Sequence, residues 1–114
     1  MSYNLVRIKD NAHFSKILKS HKKSMERSTF LFISLWDDNS TKVMEKLEGL
    51  SSEEGDTIYV VDSFSAPNSF AVYNTSIVPT VVQTKMVQGK SGDAVNKVRV
   101  TDYLPHVYDL LGIS

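Results

Sequence analysis

The densest apolar run of the chain is 29–36, where Phe30, Leu31, Phe32, Ile33, Leu35 and Trp36 follow one another almost unbroken. A strand of this kind must be covered on both faces, as in a parallel or mixed sheet between helices. Looser alternation at 3–8, with Leu5, Val6 and Ile8 apolar, predicts a short strand before it. Between them Phe14, Ile17, Leu18 and His21 recur at helical spacing, with Asp10 or Asn11 available as the cap. After the apolar run, Asp37-Asp38-Asn39-Ser40 breaks the pattern and opens a helix whose stripe is Val43, Met44, Leu47 and Leu50, with Gly49 near its end.

The second half reads in the same way. Ile58, Tyr59, Val60 and Val61 lie inside a third strand at 57–62. Pro67 is tolerated in the first turn of a helix carrying Phe70, Ala71, Val72 and Tyr73, and Asn74 can end that helix in left-handed geometry. Residues 80–86 are a fourth strand. Gln88 to Asp93, with Gly89 and Gly92, predicts a hairpin connection. An edge strand follows at 96–100, with Val98 and Val100 facing one way. Asp102 is the candidate cap of a last helix, with Pro105 in its first turn, the stripe Leu104, Val107, Tyr108 and Leu111, and Gly112 as its stop. The order is β-α-β-α-β-α-β-β-α. It predicts an α/β fold, one domain over 1–114, with a central mixed β-sheet flanked by helices on both faces.

Three tokens in that order carry a resemblance. Trp36 precedes a capped helix. Ser76-Ile77-Val78-Pro79-Thr80 opens the fourth strand, and a proline can only begin a central strand. A glycine hairpin precedes the last strand. Together they resemble the thioredoxin family over nearly the whole chain. The resemblance implies a thioredoxin-like fold with a cis bond at Val78–Pro79. The family's Trp-Cys-x-x-Cys stands here as Trp36-Asp37-Asp38-Asn39-Ser40, with Asp37 in the place of the nucleophilic cysteine and Ser40 in that of the resolving one. An alternative register matches Leu35-Trp36 to an aromatic pair slightly upstream in the family. Neither register supplies a thiol.

Composition then removes whole classes of chemistry. The 114 residues contain no cysteine, so disulfides, thiolate nucleophiles and thiolate metal sites are absent from them. Thiol–disulfide exchange needs a thiolate to attack sulfur, and none is present. Thirteen basic and thirteen acidic residues cancel, so no net field draws the chain to nucleic acid or an anionic membrane. No apolar run approaches membrane-spanning length, and Met1-Ser2-Tyr3-Asn4 lacks secretory character. His13 and His21 have no metal-ligand spacing with other donors, and His106 reads as a surface residue of the last helix; neither a metal nor a cofactor is expected. Lys16, Lys19, Lys22 and Lys23 read as a solvated helix face. Gln88-Gly89-Lys90-Ser91 joins two strands and lacks Walker spacing.

Two function classes are left. The first is a redox-inactive thioredoxin-like adaptor or assembly subunit that binds an extended polypeptide through the cis-proline groove. The resemblance implies that Trp36, Asp37, Asp38, Asn39, Ser40, Ile77, Val78 and Pro79 form this partner-binding surface, the backbone before the proline pairing with the ligand like an added strand. The absence of cysteine suits a reducing setting such as the cytoplasm, and thiol-free members of the family it resembles also occur in small genomes such as those of viruses, which makes a viral assembly the other expected setting. The second class is a non-redox enzyme or small-ligand binder using Asp37, Asp38 and Ser40. A carboxylate pair at a helix start is more simply a cap with a favourable dipole contact, and no histidine is placed to activate Ser40.

Overall fold

The computed structural model describes residues 2–24, 27–92 and 94–113. The elements are β1 (Tyr3–Arg7), α1 (Asn11–Ser24), β2 (Arg27–Ile33), α2 (Asp38–Glu48), β3 (Asp56–Asp62), a 3₁₀ helix (Pro67–Tyr73), β4 (Thr80–Gln88), β5 (Ala94–Thr101) and α3 (Leu104–Leu111). The strands form one sheet in the order β1-β3-β2-β4-β5. β1, β3 and β2 run parallel; β4 is antiparallel to β2, and β5 to β4. This is the mixed sheet expected of strand–helix alternation closed by a hairpin.

Alternation along β2 divides the core in two. Leu31 and Ile33 point to one face, where they join Ile58, Val60 and Val81 beneath α2 (Val43, Met44, Leu47) and α3 (Val107, Leu111). Phe30 and Phe32 point to the other, with Val61 and Val82, and meet Phe14 of α1. The second layer is aromatic. Phe14 lies 5.1 Å from Phe30, and Phe32 lies edge-on to Phe70 at 5.0 Å between ring centres. All four β2 residues from Phe30 to Ile33 are essentially inaccessible, as a run covered on both faces requires.

Four sequence expectations need correction. The second strand does not reach Trp36. Its partners run out first, because Ile33 faces Asp62 at the end of β3 and Phe32 faces Thr80 at the start of β4. With no neighbour to complete its ladder, the chain turns at Ser34. The Pro67 helix is 3₁₀ rather than α; Asn74 ends it at φ 53°, in the left-handed region expected. Leu50 lies beyond α2, which ends at Glu48 with Gly49 as its cap residue, yet Leu50 still packs on the core. Asp102 caps nothing: Tyr103 occupies the cap position of α3 and offers no side-chain hydrogen bond.

At α1 the two candidate caps divide the work. Asp10 Oδ1 accepts from the His13 N–H at 2.7 Å, while Asn11 Oδ1 accepts from the N–H and hydroxyl of Ser69 and ties the 3₁₀ helix to α1. Asp93, placed in the hairpin, lies outside the described residues. Among the described residues, no helix is long and apolar enough to cross a membrane.

Candidate binding face at the loop end of the sheet

Register places four loops at one end of the sheet. Ile33 and Asp62 are paired last residues of parallel strands, so the loops after β2 and β3 leave together. Thr80, the first residue of β4, faces Phe32, so the loop before β4 arrives at the same end. Thr101, the last residue of β5, faces Val81, so residues 102–103 leave there too. In sheets of this kind, ligands bind outside the carboxyl ends of the parallel strands.

Three of these loops are held by their own short polar residues. Ser34 organises the first: its carbonyl accepts from Asp37 N–H at 3.1 Å and its hydroxyl from Trp36 N–H at 3.4 Å. Asp37 is the N-cap of α2, with extended backbone and a carboxylate that accepts from Ser40 N–H at 2.8 Å. Ser40 is 1% exposed, and its hydroxyl accepts from Ser34 N–H at 3.3 Å, closing the turn from inside. After β3, Ser63 N–H donates to the Ile33 carbonyl, and Asp62 Oδ1 accepts from Phe64 N–H at 3.1 Å. Before β4, the Val78–Pro79 peptide is cis, and the buried Thr80 hydroxyl donates to the Ile77 carbonyl.

These turns press large apolar side chains outward. Trp36 is 88% exposed, Phe64 78%, Tyr103 61%, Leu35 58% and Ile77 52%. All five stand in the four loops just described. Exposed apolar side chains gathered at one end of a small domain make that end a candidate contact surface. Beside Tyr103, a cleft of about 470 Å³ runs between the end of β5 and α3, with His106 on its wall.

The eight residues singled out in the sequence therefore converge on one end of the fold, with different parts to play. Trp36, Asp38, Asn39 and Ile77 are exposed, Asp37 and Val78 half-buried, and Ser40 and Pro79 buried. Ser40 and Pro79 shape the surface without being open to a ligand. Leu35 was hidden from sequence reasoning by its place in the apolar run. Phe64 and Tyr103 were missed, although each carries a signal: Phe64 is a lone aromatic between Ser63 and Ser65, and Tyr103 falls outside the apolar stripe of α3.

No acid–base or nucleophilic pair forms here. Asp37 is committed to its cap, and the Ser40 hydroxyl is buried against backbone. His13 and His21 sit elsewhere, His13 Nδ1 accepting from Lys9 N–H and His21 contacting the Tyr59 hydroxyl, while His106, at the edge of this face, stacks edge-on to Tyr103. Among the described residues, no group of three or more His, Asp or Glu side chains is placed to hold a metal ion.

No protein-family model matches the sequence, and no curated relative matches it. Solved structures do match its fold. Reduced thioredoxin pre-protein from Schistosoma mansoni is 20% identical with a TM-score of 0.64, covering 96% of each chain. Oxidised thioredoxin O1 from Arabidopsis thaliana is 19% identical with a TM-score of 0.66, again over 96% of each. A thioredoxin from Nicotiana alata is 12% identical with a TM-score of 0.65, over 97% of this chain and 92% of that one. The chain has a thioredoxin-like fold, and none of its 114 residues is a cysteine.

Proposed function

We propose that this chain is a redox-inactive, thioredoxin-like protein-binding module, an adaptor or assembly subunit. Its partner is an extended polypeptide held at the loop end of the sheet. The observation that carries this reading is the outward set of Leu35, Trp36, Phe64, Ile77 and Tyr103, in a fold whose thiols are gone. The backbone around Val78 pairs with the bound segment, Trp36 and Ile77 clamp its apolar side chains, and Asp37, Asp38 and Asn39 border it. Asp38 is exposed and Asp37 half-buried, so a Lys or Arg near the apolar residues of the partner is favoured. A reducing intracellular compartment such as the cytoplasm, or a viral assembly, suits a chain without thiols.

A catalytic reading built on Asp37, Asp38 and Ser40 lacks a base at the Ser40 hydroxyl and has no observation in its favour. The test is affinity capture from the native host followed by titration of the recovered partner against wild type, Trp36→Ala and Ile77→Asp. Circular dichroism first establishes that both variants are folded. Trp36→Ala is expected to weaken binding by about 2 kcal/mol, roughly thirtyfold in Kd, as for a central aromatic anchor. Unchanged affinity in both folded variants overturns the assignment.

A further inference from the structure

A second surface lies on the flank of the sheet rather than at its loop end. β5 closes the sheet on that side and pairs with β4 alone. Its alternation separates two kinds of side chain. Val98 and Val100 stand on one face, 44% and 48% exposed, and Lys97 and Arg99 on the other.

The cations belong to a larger arrangement. Residues directly opposite one another on paired strands share a face of the sheet. Arg27 of β2 faces Lys85 of β4, and Lys85 faces Lys97 of β5. One step along, Gln83 faces Arg99. Three cations therefore occupy one cross-strand row, with a fourth diagonally next to it. Like charges placed opposite one another destabilise a sheet. Among the described residues none of the four forms an ion pair; the pair present, Arg7 with Glu48, lies elsewhere. Asp56 borders the row beyond Arg27, and Asp109 approaches Arg99 from α3. The groove of about 270 Å³ over the row itself is lined by no carboxylate.

We propose that β5 is a strand-addition site for an acidic segment of another protein, in which carboxylates alternate with β-branched apolar residues. The open edge offers the segment main-chain hydrogen bonds. A carboxylate opposite Lys97 ends the row of like charges with its complement, and a second answers Arg99. The residue between them packs on Val98, and the next one beyond on Val100. A second copy of this chain is the wrong occupant, because pairing β5 with itself brings Lys97 and Arg99 against their own kind. A nucleic acid would use the cations but neither the valine face nor the open backbone edge. This surface adjoins the loop end at the cleft beside Tyr103, which Arg99 and Val100 also line, but the inference uses the edge of β5 and none of the loops, so it does not rest on the function proposed above.

The experiment titrates the full chain, followed by amide NMR, with the capped heptapeptide Thr-Glu-Val-Glu-Val-Glu-Thr. Comparison probes are its Lys-for-Glu counterpart, a version N-methylated at alternate residues, and oligothymidylate. The Glu peptide is expected to bind, with shifts and slowed amide exchange concentrated along β5, and the N-methylated version to lose at least tenfold. The double variant Lys97→Glu/Arg99→Glu is expected to bind the Glu peptide at least tenfold more weakly and to gain affinity for the Lys peptide, a gain that an unfolded variant cannot produce. Failure of the Glu peptide to bind overturns the proposal and leaves the cations as guards against edge pairing. Equal binding of the N-methylated peptide, or of oligothymidylate at the same charge, also overturns it, since either needs charge alone.

Discussion

Phe32 and Ile33 are buried under helices on opposite faces of the sheet; Leu35 and Trp36, two and three residues beyond Ile33 in the same apolar run, stand in solvent. Nothing in side-chain chemistry separates the two pairs. What separates them is the length of the neighbouring strands. β3 ends opposite Ile33 and β4 begins opposite Phe32, so the covered part of the run is set by its partners. Ser34, between the two pairs, is where the ladder stops and the turn begins. The first pair holds the fold together; the second is the pair that the proposed function assigns to partner contact. A continuous apolar run can thus serve two purposes, and its boundary lies in tertiary structure.

That division is tested most severely by truncating each side of it. Ile33→Ala is expected to destabilise the domain by about 2–5 kcal/mol, the range for removing a buried large aliphatic side chain without relaxation of its surroundings. Leu35→Ala is expected to change stability by no more than about 0.5 kcal/mol, as exposed substitutions do. Urea midpoints with matched slopes give both numbers. Equal losses at the two positions would erase the distinction between a covered strand and an open turn. Next in size is the binding effect of Trp36→Ala, about 2 kcal/mol against the captured partner, with little change in the unfolding midpoint.

Much of this was legible in the sequence. The order of elements, the presence of a strand covered on both faces within the 29–36 run and the edge position of the last strand follow from periodicity and turn residues, which are local signals. The convergence of Trp36 and 77–79 on one end of the sheet came from a family resemblance that the fold supports. Strand ends were less legible, because pairing partners lie roughly 30 to 50 residues away in the chain. Phe64 and Tyr103 were missed for a related reason. Each looks like an ordinary loop aromatic until register brings its loop beside that of Trp36. The charged row from Arg27 to Lys97 is also invisible along the chain, since its members sit on three strands and meet only through pairing.

Two aspartates make the same point at smaller scale. Asp37 and Asp102 both precede helices and both read as caps. Asp37 bonds Ser40 N–H at 2.8 Å, whereas Asp102 lies one residue too early, behind Tyr103. Asp37→Ala is expected to cost about 1 kcal/mol, the usual loss for a side-chain cap. Asp102→Ala is expected to stay within about 0.5 kcal/mol of wild type. Thermal and urea unfolding of the two variants side by side distinguish them. A cost at Asp102 as large as at Asp37 would mean that the two helix starts are capped alike in solution.

The smallest effect concerns the buried side of the comparison and appears only at high pH. The Tyr3 hydroxyl donates to the Leu111 carbonyl at 2.7 Å, joining β1 to the end of α3. Burial, and secondarily the Asp56 carboxylate, raise its pKa above the ordinary phenol value. Burial raises Tyr73 as well, opposed in part by a hydrogen bond with Asn96. The folded chain therefore keeps phenol protons that the unfolded chain releases once pH passes about 10. More protons on the folded state mean that stability falls as pH rises through that window, while below it the contribution is constant. Urea midpoints measured between about pH 9 and 11 are expected to decline. The decline should be shallower in Tyr3→Phe and shallowest in Tyr3→Phe/Tyr73→Phe. Because Tyr3→Phe also leaves the Leu111 carbonyl without its donor, that variant should start about 1 kcal/mol lower at neutral pH. A slope in the double variant equal to wild type would assign the alkaline loss to other groups and remove these two phenols from the core's proton balance.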